Sequence, residues 1–356
     1  MGPPRLELVD IETKCIGWES GYPMRSRNLK PVTNSPLLGL PTMENDRLRV
    51  EQALLGAVRT PDAYLTEIAS HLISAGGKRL RPVFTIVASQ ITTDGPASEE
   101  AIAGGISCEL VHLGSLYHDD VMDESTTRRG VDTVNAKWGN LQAILAGDFL
   151  LAKASEIAAS LGTEVAALLA RTIGHLCEGQ IEELRHTYNV ARPIDSYLNS
   201  IDGKTASLYS TAARIGGIVA GHDRATIEAL TTYGTAYGMV FQIVDDVLDL
   251  TATDAQLGKP AGHDMEEGVY TLPVLHTLAA GGPAASELGS ILGKPLNEVE
   301  REKVLHIVRS NGGIATAIEK ARAYVADAES ACDALPQSAT TDAMRKATAA
   351  LLATVA

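Results

Sequence analysis

From Met43 to the C-terminus the sequence is a succession of stretches that place apolar residues three and four positions apart, separated by short runs of Gly, Pro, Asn and Asp. These stretches run from Asp46 to Thr60, Asp62 to Ser74, Ser98 to Met122, Leu141 to Leu161, Glu164 to Tyr188, Asp195 to Gly216, Arg224 to Leu250, Thr271 to Ala279, Glu298 to Ser310 and Gly313 to Ala334. No alternating pattern of comparable length competes, so the expected fold class is all-α. Hydrophobic residues make up 45% of the chain but aromatics only 4%. A core built from Ala, Leu, Val and Ile favours close helix-on-helix packing over a sheet sandwich. Leu141 to Ala159 and Ala206 to Val219 are Ala-rich and apolar around most of their circumference, which predicts helices inside one large bundle rather than two small domains. Residues 43–356 are therefore read as one helical domain. Residues 1–42 mix Pro, Gly, Ser and charges without a sustained period and are read as a loose N-terminal extension.

Two near-identical segments carry the chemistry. His118-Asp119-Asp120-Val121-Met122-Asp123 ends the apolar run ELVHLGSLY, and Val244-Asp245-Asp246-Val247-Leu248-Asp249 ends the run YGMVFQI. On a helix, Asp119 and Asp123 project from one face, and so do Asp245 and Asp249. Like charges at that spacing repel, and their repetition at the ends of two apolar helices requires a compensating cation. One such cluster alone would read as a solvated acidic helix end; two of them do not. Carboxylates taken one or two at a time suit Mg²⁺, which completes its octahedron with water and phosphate oxygens. The pair reads as two jaws holding a diphosphate through shared metal ions.

The formal net charge of -14 excludes a nucleic-acid binder, whose footprint needs a surplus of Lys and Arg on one face. An acidic protein that binds anions must concentrate its cations locally. Gly76-Gly77-Lys78-Arg79-Leu80-Arg81-Pro82 does so at a Gly-flanked helix junction, although alone it reads equally as a solvated basic turn. Arg128-Arg129-Gly130 follows the first aspartate cluster, where guanidinium forks either neutralise the carboxylates or grip a phosphate. Lys204-Thr205 sits inside an otherwise apolar helix, where a lone lysine is costly unless paired. Lys259 lies in the loop after the second cluster, and His112 lies two helical turns before Asp119 on roughly the same face. Cys15, Cys108, Cys177 and Cys332 show no C-x-x-C spacing, so neither zinc nor a disulfide framework is indicated, and a cytoplasmic setting is expected. The opening MGPPRLELVDIE lacks the basic head and apolar core of a leader, and no charge-free stretch reads as a membrane span.

In order, GGKRLRP, HDDVMDESTTRRG, GKT at Gly203 to Thr205, FQIVDDVLD and LGKPAGHD span residues 76–264 and together resemble the trans-isoprenyl diphosphate synthases, more specifically the long-chain polyprenyl diphosphate synthases. The resemblance implies a bundle of mostly antiparallel helices around a deep cavity, paired as a homodimer, and condensation of an allylic diphosphate with isopentenyl diphosphate. It implies three Mg²⁺ ions per active site, coordinated by Asp119, Asp123 and Asp245, with Asp120, Asp246 and Asp249 assisting directly or through water. Arg128, Lys204, Thr205, Gln242 and Lys259 would hold the allylic diphosphate, and Lys78, Arg81, His112 and Arg129 the isopentenyl diphosphate. The sequence departs from the family at Glu267-Gly268-Val269-Tyr270-Thr271, where many members carry a lysine and this chain has Val269.

Product length is expected to depend on the helix before Asp119. Gly114 and Ser115 lie about one turn upstream, and Cys108, Ser107, Gly105 and Gly104 continue the run of small residues, so a growing tail would meet no early bulky stop. Close helix packing explains small residues equally well. A medium- or long-chain product is expected, and an apolar product brings an expectation of peripheral membrane contact at release. The competing readings are a shorter-chain geranylgeranyl diphosphate synthase, a relative that ionises its substrate without isopentenyl diphosphate, and a noncatalytic subunit of a heteromeric synthase. The intact GGKRLRP and Arg129 oppose the second, and the two whole aspartate triplets oppose the third.

Overall fold

The structure, a computed structural model, describes residues 35–251 and 261–355. A 3₁₀ turn at Pro36–Gly39 leads into α1 (Met43–Ala57), α2 (Ala63–Ser74), α3 (Leu80–Ser89) and α4 (Glu99–Met122). A two-residue-per-strand hairpin, β1 (Thr127–Arg128) against β2 (Val131–Asp132), separates these from α5 (Val134–Trp138), α6 (Asn140–Ser160) and α7 (Thr163–Arg185). Then come α8 (Ile194–Ile201), a π-helical turn at Asp202–Ala206, α9 (Ser207–Val219) and α10 (Arg224–Thr251). The C-terminal part contains α11 (His263–Glu266), α12 (Leu272–Ala279), α13 (Gly282–Ile291), α14 (Glu298–Ser310), α15 (Gly313–Asp333) and α16 (Ala339–Leu352). Among the described residues no helix is long and apolar enough to cross a membrane.

Helix starts follow local side-chain chemistry. Asp62 accepts from the Tyr64 and Leu65 amides to open α2, Ser98 caps α4, and Asn297 with Glu300 forms a capping box on α14. Packing arranges the helices in two joined cores. The first gathers α1 to α7 with α9, the front half of α10, the end of α15 and most of α16, and the second gathers α8, the rear half of α10, α11 to α14 and the earlier part of α15. Helix α10 runs through both, with Leu230 and Tyr233 in the first and Val240 to Leu250 in the second. Some of the scarce aromatic residues cluster: Phe84 of α3 lies 4.6 Å from Tyr237 and 5.0 Å from Tyr209, ring centre to ring centre.

The structure differs from the periodicity reading in places that have physical causes. Helix α3 is buried along Leu80 to Ala88 apart from Arg81 and so shows no polar face to betray its period. The body begins before Met43, because Leu37 is buried against the first core. Helix α6 was expected inside the bundle, yet Leu141 is 74% and Leu145 66% exposed, with Ile144 beside them. Among the described residues no further helix covers that face.

Candidate active site

Both aspartate clusters occupy the last turns of their helices. A helix C-terminus carries partial negative charge, so carboxylates there are unfavourable by roughly 0.3–1 kcal/mol each unless cations answer them. Within each cluster the residues divide. Asp119 is half-buried and Asp123 and Asp245 are exposed, whereas Asp120, Asp246 and Asp249 are buried. Asp120 accepts from Arg128 Nε at 2.5 Å, and its backbone carbonyl accepts from Asn135 at 3.0 Å. Asp246 accepts from Gln242 Nε2 at 2.8 Å through one oxygen and from the Tyr197 hydroxyl through the other. Asp120 and Asp246 are thus engaged by protein donors, while Asp119, Asp123 and Asp245 keep accessible surface. Burial raises the affinity of Asp119, Asp120 and Asp246 for protons, and burial with Glu267 nearby brings Asp123 up to about 6.

The π-helical turn joins the two clusters. Gly179 of α7 and Gly203 let the chains meet backbone to backbone: a methyl group on Gly179 would stand 2.5 Å from the Lys204 nitrogen, and one on Gly203 2.7 Å from the His175 carbonyl oxygen. That contact presses the turn against α7 and places Lys204 Nζ 2.7 Å from Glu183 Oε1, close enough to Asp119 and Asp123 for their charges to hold its proton more tightly. Its side chain lies deep in the bundle but keeps 33% of its surface, so it borders a cleft. The next residue turns the other way. Thr205 donates to Gln242 Oε1 at 2.8 Å, and Gln242 in turn donates to Asp246. A chain of bonded polar groups therefore runs from beside the first cluster to the second.

The basic motifs converge on the opposite side. In the hairpin, Arg129 and Gly130 both take positive φ, 55° and 77°, the geometry of a tight primed turn. This sends Arg128 to Asp120 and Arg129 back to α2, where Arg129 Nη1 donates to the Leu72 and Gly76 carbonyls. Lys78 is exposed on the Gly76–Gly77 turn, and Arg81 lies 4.7 Å over the Tyr209 ring with its buried Nε unpartnered. His112 is kept neutral by burial and by Arg81, Arg129, Arg128 and Arg79, which also puts these groups in one neighbourhood. Tyr209, buried in the first core, lies within electrostatic reach of both Arg81 and Asp245.

Three placements differ in kind. Lys259 lies outside the described residues. Gly114 meets α6, since a methyl there would stand 3.1 Å from the Gly147 carbonyl oxygen and 3.3 Å from Leu151, so its size serves helix packing. Ser115 keeps accessible surface on the Asp119 side, with its hydroxyl donated to the His112 carbonyl at 2.9 Å. Glu183 and Tyr197 were not singled out from the sequence. The lone Lys204 demanded a carboxylate partner, but nothing in EELRH marks Glu183 as that partner. The open surface grooves, of about 550 and 360 Å³, are lined by other residues, and no member of either aspartate triplet borders them.

The profile of the Polyprenyl synthetase family matches residues 62–308. The chain is 40% identical over 289 residues to the nonaprenyl diphosphate synthase of Mycobacterium tuberculosis, a match covering 81% of this chain and 86% of that protein. It is 36% identical over 297 residues to heptaprenyl diphosphate synthase component 2 of Geobacillus stearothermophilus, covering 83% and 92%. A solved polyprenyl synthase from Caulobacter crescentus CB15, complexed with calcium and isoprenyl diphosphate, shares the fold with a TM-score of 0.83 at 31% identity, over 90% of this chain and 98% of that one. With its helical bundle, paired aspartate clusters and facing cations, the chain belongs to the Polyprenyl synthetase family and is a prenyltransferase of the polyprenyl diphosphate synthase type.

Proposed function

We propose that this chain extends an allylic diphosphate by repeated head-to-tail (1′–4) addition of isopentenyl diphosphate, giving a medium- or long-chain all-trans polyprenyl diphosphate with magnesium as its ion. One observation carries the reading: the Lys204-Thr205 turn is bonded to Glu183 beside the first cluster and, through Gln242, to Asp246 in the second. A chain of bonded side chains thus links the neighbourhood of one acidic helix end to the other. Asp119, Asp123 and Asp245 present hard oxygen donors with no sulfur or imidazole among them, a set that fits Mg²⁺. When bound, the ions, three per site in this proposal, supply positive charge against the leaving pyrophosphate.

The residues do the rest. Arg128, Lys204, Thr205, Gln242 and Lys259 hold the allylic diphosphate, and Lys78, Arg81, Arg129 and neutral His112 hold isopentenyl diphosphate. As the allylic carbon–oxygen bond breaks, Lys204 and Arg128 offset the growing negative charge from fixed positions. The double bond of isopentenyl diphosphate attacks the allylic cation, and the departing pyrophosphate takes the proton, so no protein base is required. The apolar interior beyond Asp119 keeps water from the cation, and Ser115 sets how far the growing tail extends along α4.

Two copies of the chain pair through the uncovered face of α6, where Leu141, Ile144 and Leu145 form one apolar stripe. The cytoplasm is the proposed setting, with peripheral membrane contact when the apolar product leaves. The likeness to heptaprenyl diphosphate synthase component 2 favours a second reading, in which a different subunit is needed. The test is incorporation of labelled isopentenyl diphosphate by the purified chain alone with Mg²⁺ and an allylic starter, followed by sizing of the product. A product longer than geranylgeranyl diphosphate supports the proposal. A geranylgeranyl ceiling refutes the long-chain assignment, and activity only after a second subunit is added establishes the heteromeric reading.

A further inference from the structure

Arg79 stands between two proposed isopentenyl diphosphate contacts, Lys78 and Arg81, but its surroundings are different. Its side chain is 1% exposed. Nε and Nη2 donate to Glu51 of α1 at 2.7 and 3.1 Å, Nη1 donates to Glu109 of α4 at 3.2 Å, and Nη2 also donates to the Ile73 carbonyl of α2 at 2.8 Å. One guanidinium therefore ties three helices together just where α3 begins. Its backbone is left-handed, with φ 52°, a conformation that costs a residue with a side chain on the order of 1 kcal/mol or more and persists only where neighbours over-determine it.

A second arginine completes the arrangement. A methyl group on Gly77 would stand 3.0 Å from Arg79 Nη1 and 3.0 Å from the Arg129 guanidinium, so the two cations flank the glycine that precedes Lys78. Like charges this close need a shared anion. Glu109 supplies it: buried, with one oxygen on Arg79, its other oxygen unpartnered, and its charge acting on Arg129. Left alone, two such guanidinium groups would push the turn apart.

We propose that Arg79 is a positioning residue of the isopentenyl diphosphate site: clamped by Glu51 and Glu109, it fixes the left-handed turn so that Lys78 and Arg81 project toward the same anion. The inference rests on the assignment of Lys78 and Arg81 to isopentenyl diphosphate. Arg79 itself does not touch the substrate. Glu51→Gln is the informative variant, because Glu51 sits on α1 with part of its side chain in solvent and takes both Nε and Nη2 of Arg79. Binding of isopentenyl diphosphate without the allylic substrate is measured by calorimetry, alongside steady-state kinetics and melting.

The expected result is an approximately tenfold weaker affinity and higher KM for isopentenyl diphosphate in Glu51→Gln, with kcat and the allylic KM within about twofold of wild type. Arg79→Lys shows the same selective loss, because an ammonium cannot reproduce the fork. An unchanged isopentenyl diphosphate affinity with a lowered melting temperature overturns the proposal and leaves Arg79 a core ion pair. A loss shared equally by both substrates overturns it as well. Lys78→Ala separates this inference from the reading beneath it. If Lys78→Ala binds isopentenyl diphosphate as wild type does, the site assignment fails and the inference with it; if only Glu51→Gln binds normally, the inference alone fails.

Discussion

Replacing Tyr197 by Phe removes one oxygen atom and asks whether the second aspartate cluster depends on a residue outside every motif. Asp246 is 3% exposed, and its two oxygens are taken by the Tyr197 hydroxyl and by Gln242 Nε2 at 2.8 Å. The phenylalanine ring fits the same space, so no cavity is added. What changes is that one carboxylate oxygen loses its donor in a place that water scarcely reaches. A hydrogen bond to a charged group contributes about 1.5–3 kcal/mol, and the orphaned acceptor bears most of that loss. For a protein of this size the melting temperature should fall by several degrees. Released on one side, Asp246 no longer holds Gln242, and Gln242 no longer fixes Thr205, so the allylic diphosphate loses its alignment. A loss of about 1.4 kcal/mol of transition-state stabilisation corresponds to a tenfold lower kcat, with the isopentenyl diphosphate KM unchanged. Thermal melting and incorporation of labelled isopentenyl diphosphate read the two effects. A variant with wild-type melting and kcat would refute the reasoning, because Asp246 would then hold its place without Tyr197.

Four further outcomes follow from the same geometry. Ser115→Phe shortens the product, read by chromatography of the dephosphorylated prenyl alcohols; an unchanged product profile removes Ser115 from the tail's path. His112→Gln keeps the isopentenyl diphosphate KM within about threefold, because burial and the surrounding arginines keep the histidine neutral and a neutral amide can replace it; a loss beyond thirtyfold, or an isopentenyl diphosphate KM that titrates in wild type near pH 6, would show a charged imidazole. In metal-free protein Asp123→Asn melts higher than wild type at pH 7.5, the gap being full above about 6 and shrinking steadily as the pH falls from there to the ordinary carboxyl value of 3.8, where the unfolded chain is protonated too; a constant gap would contradict the shift. Leu145→Glu puts a charge on the exposed stripe of α6 and lowers the mass measured by light scattering to that of one chain; an unaltered dimer places the interface elsewhere.

Much of the candidate site is legible because its proposed parts are contiguous in sequence. Each aspartate triplet occupies one turn of helix, and GGKRLRP and the Arg128-Arg129-Gly130 turn are local. The supporting residues were not legible, and the reason is physical. Glu183 looks like any surface glutamate on an amphipathic helix until the glycine contact between Gly179 and Gly203 brings Lys204 against it. The stretch from Asp195 to Gly216 reads as one helix, but that same contact leaves a π-helical turn at Asp202–Ala206, and the turn rather than the helix aims Lys204 and Thr205 in opposite directions. Arg79 shows the converse. It lies in a segment that alone reads equally as a solvated basic turn, but Glu51 and Glu109 arrive from helices distant in sequence and pair with it in the interior. The helices at Gly282–Ile291 and Ala339–Leu352 escaped as well, the first because Gly, Ser and Pro dilute its apolar face, the second because Ala and Thr fill it.

The two aspartate clusters are best understood as an electrostatic cost built into the resting protein. Carboxylates at the C-terminal ends of α4 and α10 meet the unfavourable pole of each helix, lie near one another along the chain and lose water on burial. Lys204 and Arg128 offset part of that cost, but Lys204 is already paired with Glu183 and Arg128 with Asp120. The accessible carboxylates Asp119 and Asp123 keep a demand for positive charge that these two paired side chains only partly meet. In the function proposed here a divalent ion carrying a diphosphate would satisfy the demand in one step, making binding favourable in proportion to how poorly the unliganded carboxylates are balanced. Neutralising these aspartates should therefore strengthen the fold and empty it of chemistry, and the buried Asp120 and Asp246, already bonded to protein donors, are retained to hold that imbalance in place.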